Sequence, residues 1–176
     1  DELPFSVKPE KKVDIREVTA LFRETYEGTE FDMTRNWKLA RPAGRDHEAD
    51  TVVSPLANPW LTTTMRNTLN TIAPGTIDFK RTVAVAWCAY SHVTQLRSWL
   101  PDAIGGICWL SVDNPAQSPR IPVFCGTTVL PEGFWTCGQN SYSENPALWS
   151  FRRANKLATL SWQTTKEGFN KEVMRL

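Results

Sequence analysis

The sequence predicts an α+β fold in which antiparallel strands lie under covering helices, and three observations predict it. Helical periodicity is strongest near the two ends of the chain, three apolar strand-like runs lie between, and no βαβ alternation or internal repeat links them. Composition agrees with an ordinary globular unit: 176 residues, 20 Lys+Arg against 19 Asp+Glu, a net charge of +1, 41% hydrophobic and 22% charged residues. That balance excludes a disordered or fibrous chain. Lys and Arg are scattered, so neither nucleic acid nor a membrane surface is expected as a partner. The longest apolar stretches, such as Val83 to Ala89, fall well short of the roughly 18–20 residues that cross a bilayer. Asp1 to Pro4 show no signal-peptide pattern, which leaves the compartment open.

The elements follow in order. Ile15, Val18, Leu21, Phe22 and Tyr26 recur at helical spacing from about Asp14 to Glu27, with Asp14 and Glu17 able to form a capping box and Gly28 as the stop. From 29 to 60 the text turns to Gly-Thr, Arg-Pro, Gly-Arg, Ser-Pro and Asn-Pro, a long irregular segment expected to pack over something else. A short helix is expected at Thr62 to Ile72, closed by Pro74-Gly75. Arg81 to Tyr90 reads as a strand covered on both sides, with Val83, Val85, Trp87 and Ala89 on one face. Gly105 to Val112 and Ile121 to Val129 read as two more, joined across the turn chemistry of Asp113-Asn114-Pro115 and Ser118-Pro119. A second helix is expected from Asn145, as N-cap, with Pro146 at its first position and Leu148, Phe151, Asn155 and Ala158 along one stripe. Residues 170–176 look like the opening of a further helix at a truncated end.

Chemistry is sparse at the level of motifs. Cys88, Cys108, Cys125 and Cys137 form no CxxC pair, and the two histidines, His47 and His92, have no second ligand at metal spacing, so neither a metal nor another cofactor is expected. Three of the cysteines sit in apolar runs and are expected to be small buried hydrophobes. Cys88 and His92, four residues apart on a strand at about 3.3 Å per residue, would lie over roughly 10 Å apart, too far to act as nucleophile and base. Gln95 and Arg97 would project to one side of a continuing strand, where the guanidinium could clamp a substrate carboxylate or pair with an acid such as Asp102. His92 is a weaker substrate-binding candidate beside them. Asn155 is the polar member of an apolar stripe, suited to donate to a substrate or to satisfy a buried carbonyl. Of the eight Trp, most are expected in the core, and Trp37, Trp60, Trp99 and Trp135 fall in turn-rich text where a ligand could stack.

Longer phrases carry more. Leu21 to Thr34 (LFRETYEGTEFDMT), His92 to Trp109 (HVTQLRSWLPDAIGGICW), Ser118 to Phe124 (SPRIPVF) and Trp149 to Asn155 (WSFRRAN) together resemble the dipeptidase A and secernin family of cysteine peptidases. The resemblance runs from about Asp14 to Trp162 and is similar to the later part of that family's longer polypeptide. It implies an N-terminal-nucleophile hydrolase with an αββα sandwich that cleaves dipeptides or short amides. In that chemistry an N-terminal Cys attacks the scissile carbonyl, its own α-amino group is the base and nearby amides hold the oxyanion.

Here residue 1 is Asp and no Cys precedes position 88, so the nucleophile is expected upstream and no catalytic residue is assigned to this chain. The expected function is therefore a single domain or domain fragment of a cysteine dipeptidase, inactive alone. Its expected partners are the rest of the parent chain, a dipeptide or short amide and, through exposed strand edges, further copies of itself. Two alternatives come from other classes: a non-catalytic binding or scaffold domain of secernin type, and a sugar-binding module that stacks ligands on loop Trp.

Overall fold

Backbone hydrogen bonding gathers the strands into two separate antiparallel sheets. The structure, a computed structural model, describes residues 4–138 and 140–175, so Asp1 and Leu176 lie outside the described residues. The first sheet is a hairpin of β1 (Lys38–Arg41) and β2 (Asp50–Val53). The second has the order β3 (Tyr90–Leu96), β4 (Gly106–Val112), β5 (Ile121–Phe124). Around them run α1 (Ile15–Phe22), α2 (Thr63–Ile72), the four-residue α3 (Asp102–Gly105), α4 (Ala147–Thr159) and α5 (Trp162–Arg175). The α+β class with antiparallel strands and helices stands.

Local signals decide several boundaries as expected. Asp14 caps α1 through Oδ1, which accepts from the Glu17 N–H at 2.9 Å, while Glu17 Oε2 accepts from the Asp14 N–H at 3.0 Å. Thr62 caps α2 by accepting from the Met65 N–H at 3.2 Å.

Elsewhere tertiary demand overrides the pattern. α1 ends at Phe22 instead of continuing to Glu27, because Tyr26 turns into the left-handed region (φ 64°) and Glu27 is drawn to α5. The segment 29–60 is not irregular throughout, since it contains the β1–β2 hairpin, closed at its loop end by an Arg41–Asp50 ion pair at 2.5 Å. Arg81 to Ala89 is not a strand. Its small residues Thr82 and Ala84 are buried while Val83 and Trp87 are exposed, and the strand begins only at Tyr90, in the more polar text that follows. β5 stops at Phe124, Pro146 is itself the N-cap of α4, and α5 starts eight residues before the helix expected at 170.

In the larger sheet, Ser91–Ser111, Val93–Trp109 and Gln95–Ile107 face each other on one side, with Pro122 and Phe124 beside them. Ser91, Ile107 and Ser111 are buried there. The opposite side carries Tyr90, His92, Thr94 and Leu96 of β3, all exposed, next to half-buried Cys108, Leu110, Ile121 and Val123. One side is thus packed and the other is open and largely apolar.

Glu27 joins the end of α1 to α5. Its carboxylate accepts from Trp162 Nε1 at 2.8 Å, Gln163 Nε2 at 3.0 Å and Lys166 Nζ at 2.9 Å, with only 15% of its side chain exposed. Replacing Glu27 by Ala should lower stability by about 2–4 kcal/mol, since three donors lose a charged acceptor. Asp14→Ala, which removes an exposed cap, should cost about 1 kcal/mol. Urea denaturation of the two variants should place the Glu27→Ala midpoint clearly below that of Asp14→Ala; equal midpoints would remove Glu27 as a tertiary node.

Candidate functional site

The residues singled out from sequence separate into three places. Gln95 lies on the packed side of β3, and Arg97, the first residue after the strand, continues the same alternation of exposure. Gln95 Oε1 accepts from Trp109 Nε1 at 3.1 Å. Arg97 does not pair with Asp102. It closes the β3–α3 turn, with its N–H donating to the Gly105 carbonyl at 2.8 Å and Nη2 donating to the Ile104 carbonyl. Its Nε is buried with no hydrogen-bond partner.

His92 lies on the open side, stacked on Tyr90 with ring centroids 6.2 Å apart. Asn155 sits at the far end of the sheet. It meets Asp113, whose N–H donates to the Ala89 carbonyl just before β3 begins. About eight residues of extended chain separate that end from Arg97, roughly 25 Å.

Asn155 belongs to the most completely built polar cluster of the chain. Both hydrogens of its Nδ2 are used, on Asp113 Oδ2 and Ser118 Oγ, each at 2.9 Å, so it has no hydrogen left for a substrate. Arg152 Nε donates to the other Asp113 oxygen at 2.9 Å. Asn114 Nδ2 donates to Gln117 Oε1 at 2.9 Å, and Gln117 Nε2 reaches the Asn155 carbonyl at 3.4 Å. Asp113 is wholly buried and sits at φ 60°, so the loop that reads as turn chemistry is a buried polar core element. Sequence reasoning missed Asp113 and Arg152. The available signal was Arg152 one helical turn before Asn155, which puts both on one face of α4.

The cysteines differ from expectation. Cys125 and Cys137 are exposed, Cys88 and Cys108 are half-buried, and all four are free. Burial pushes the Cys88 thiol above its usual range, and the Asp113 carboxylate adds to this, while the Tyr90 carbonyl at 3.1 Å and Arg120 act near it. A raised thiol is a poor nucleophile at neutral pH. Among the loop tryptophans, Trp60 is tied down, donating to the Ala84 carbonyl at 2.8 Å and packing edge-on to Trp162 at 5.1 Å. Trp99 and Trp135 are exposed, and so is Trp87, which the sequence places in the core. No helix among the described residues is long and apolar enough to cross a membrane.

Comparison with known proteins supplies what side-chain chemistry does not. The model of peptidase family C69 matches residues 1–174. The chain belongs to peptidase family C69. Over 133 residues this C69 chain is 24% identical to a protein described as a probable dipeptidase from Latilactobacillus sakei, an overlap of 76% of the chain and 21% of that relative. The chain thus spans about a fifth of the length of the curated relative it matches. No solved structure matches it.

Within this C69 chain the raised Cys88 thiol sets an order of reactivity. Iodoacetamide at pH 7.5 should label the exposed Cys125 and Cys137 well before Cys88, and the gap should narrow as pH rises into the range where Cys88 ionises. Peptide mapping by mass spectrometry reads the order; Cys88 labelled first would reverse this view of its surroundings.

Proposed function

We propose that this C69 chain is part of a cysteine dipeptidase that hydrolyses dipeptides or other short amides, with the nucleophilic Cys contributed from outside these 176 residues. The single observation that carries this is the family match over residues 1–174. The likeness to a probable dipeptidase supports the substrate class. The state of the four cysteines supports an external nucleophile, since the half-buried Cys88 has a raised thiol and no imidazole or amine among its hydrogen-bond partners.

In this scheme an N-terminal Cys attacks the scissile carbonyl, passing its proton to its own α-amino group, and the tetrahedral oxyanion is held by amides. The chain supplies framework and wall. Its open sheet side, with Tyr90, Leu96, Leu110 and Val123, suits a second sheet packed face to face at about 10 Å, the inner contact of an αββα sandwich. Gln95 on β3 and Arg97 just after it are the proposed contacts for the substrate backbone and carboxylate, a role that a planar guanidinium suits. His92 lies where a covering layer would meet it. Asn155 acts at a distance by holding the loop at the far end of the sheet.

A dipeptide panel hydrolysed by the full-length protein and by the 176-residue chain, each with and without a thiol-blocking reagent, tests this. Thiol-sensitive hydrolysis by the full-length protein alone is the expected result. A full-length protein that binds but never cleaves dipeptides would replace the enzyme with a scaffold of secernin type. In the full-length enzyme Arg97→Ala should raise KM about tenfold or more with a smaller change in kcat, as loss of one charge-assisted contact predicts. The isolated chain, with its apolar sheet side uncovered, should self-associate in a sedimentation run.

A further inference from the structure

Away from the open sheet side, α1, α5 and the packed side of β4 line a half-open cavity of about 560 Å³, within the roughly 300–1,000 Å³ range of small-ligand sites, with Arg16, Ala20 and Met174 exposed at its rim. Its walls are mostly apolar, with Ile15 from α1, the Trp109 ring from β4 and Met174 from α5. Three arginines, Arg16, Arg23 and Arg120, are also among its lining residues, and no Asp or Glu is.

The charge balance inside is one-sided. Arg23 Nη2 donates to Asn170 Oδ1 at 2.9 Å. Arg120 donates to the Trp109 carbonyl at 3.4 Å and to Ser91 Oγ at 3.2 Å, and its guanidinium lies over the Phe22 ring at 4.8 Å. Every one of these partners is neutral. Among the described residues, none of the three arginines has a carboxylate within ion-pair distance. Burial lowers the affinity of Arg23 for its proton and the nearby Arg120 charge lowers it further; Arg120 is likewise lowered by burial. Cations taken out of water beside each other are costly unless an anion joins them.

We infer that this cavity is a binding site for an amphiphilic carboxylate, its head group held between Arg23 and Arg120 and its alkyl chain lying along Ile15, Trp109 and Met174. Two guanidiniums offer paired N–H donors to a carboxylate, and the apolar wall offers nothing to a second charge. A zwitterionic dipeptide is disfavoured, because its ammonium group would enter a cavity with three cations and no acid. The site therefore takes a different chemical class from the substrate proposed above and does not depend on that proposal. Arg16, exposed at the rim, draws the anion in.

Isothermal titration of the full-length protein with sodium decanoate, below its micelle concentration, tests this directly and needs no turnover. Decanoate should bind one to one, decanol and the dipeptide Leu-Leu at least about tenfold more weakly, and Arg23→Gln should weaken decanoate by a similar factor. Arg120 also holds Ser91 and Trp109, so its removal could disturb the sheet. Ala20→Phe provides an independent check, since it fills the cavity from α1 without touching a charge and should abolish decanoate binding at unchanged melting temperature. Decanol or Leu-Leu binding as tightly as decanoate, or decanoate binding that ignores both substitutions, would overturn the assignment, and so would no decanoate binding at all.

Discussion

A single buried carboxylate, that of Asp113, fixes how the sheet meets its helices. It stands at the first residue after β4, in a left-handed conformation that a non-glycine residue adopts at a cost, and it is fully shielded from water. Such a charge survives burial only with strong partners, and it has Arg152 and Asn155 from α4, both at 2.9 Å. Because the same residue donates its N–H to the Ala89 carbonyl, the end of β4, the start of β3 and one face of α4 are tied at one point. Ser118, held by the Asn155 amide, then directs the chain into β5. Removing either α4 partner would leave a buried charge half-satisfied, which is why the loop between β4 and β5 behaves as core and not as surface.

Glu27 does for the other end of the helical layer what Asp113 does for the sheet. It collects an indole, an amide and an ammonium from the first turns of α5, and this draws the chain out of α1 five residues earlier than hydrophobic periodicity suggests. The position of α5 that results brings Val173 and Met174 opposite Ile15 and Thr19, with Trp109 between them. The Arg-lined cavity is thus a consequence of where two carboxylates pin the helices. Neither Asp113 nor Glu27 contributes to its lining, which leaves the arginines there without an acid.

What was legible in the sequence was local. The Asp14–Glu17 capping box, the helix expected at Thr62 to Ile72 and the strand expected at Gly105 to Val112 all depend on neighbours within a few residues, and all appear in place within a residue. Arg81 to Ala89 misled because its pattern of small and large residues fits a strand, yet its backbone groups are used by distant partners. Ala84 gives its N–H to the Glu24 carbonyl and its own carbonyl accepts from the Trp60 indole and the Thr82 hydroxyl, while the Ala86 carbonyl accepts from Lys156. No ladder is possible once those groups are spent. Of the candidate site residues, the common alternation of Gln95 and Arg97 followed from strand spacing alone. The commitment of Asn155 to Asp113 did not, because it joins residues 42 apart in sequence.

Burial in this chain is inverted relative to an ordinary apolar core. Among the described residues, the buried polar set includes Asp113, Asn114, Gln117, Ser118 and Asn155, whereas the buried apolar set is mostly small, with Ala57, Ala84, Ala116 and Ala158 beside Met33, Ile77, Ile107 and Trp162. Large apolar side chains lie outside: Trp87, Tyr90, Leu96 and Trp99 are all 60% exposed or more. A fold that depended on its own apolar core would place these residues inward. Here the interior is specified by hydrogen-bonded nodes, and exposed apolar side chains are spread along the chain, with Trp87, Tyr90, Leu96 and Trp99 on and beside β3 and Leu21, Ile72, Leu160 and Met174 on or beside the helices. The physical division is therefore between a polar interior clamped by hydrogen bonds to buried carboxylates and an apolar surface that stays in contact with water in this chain.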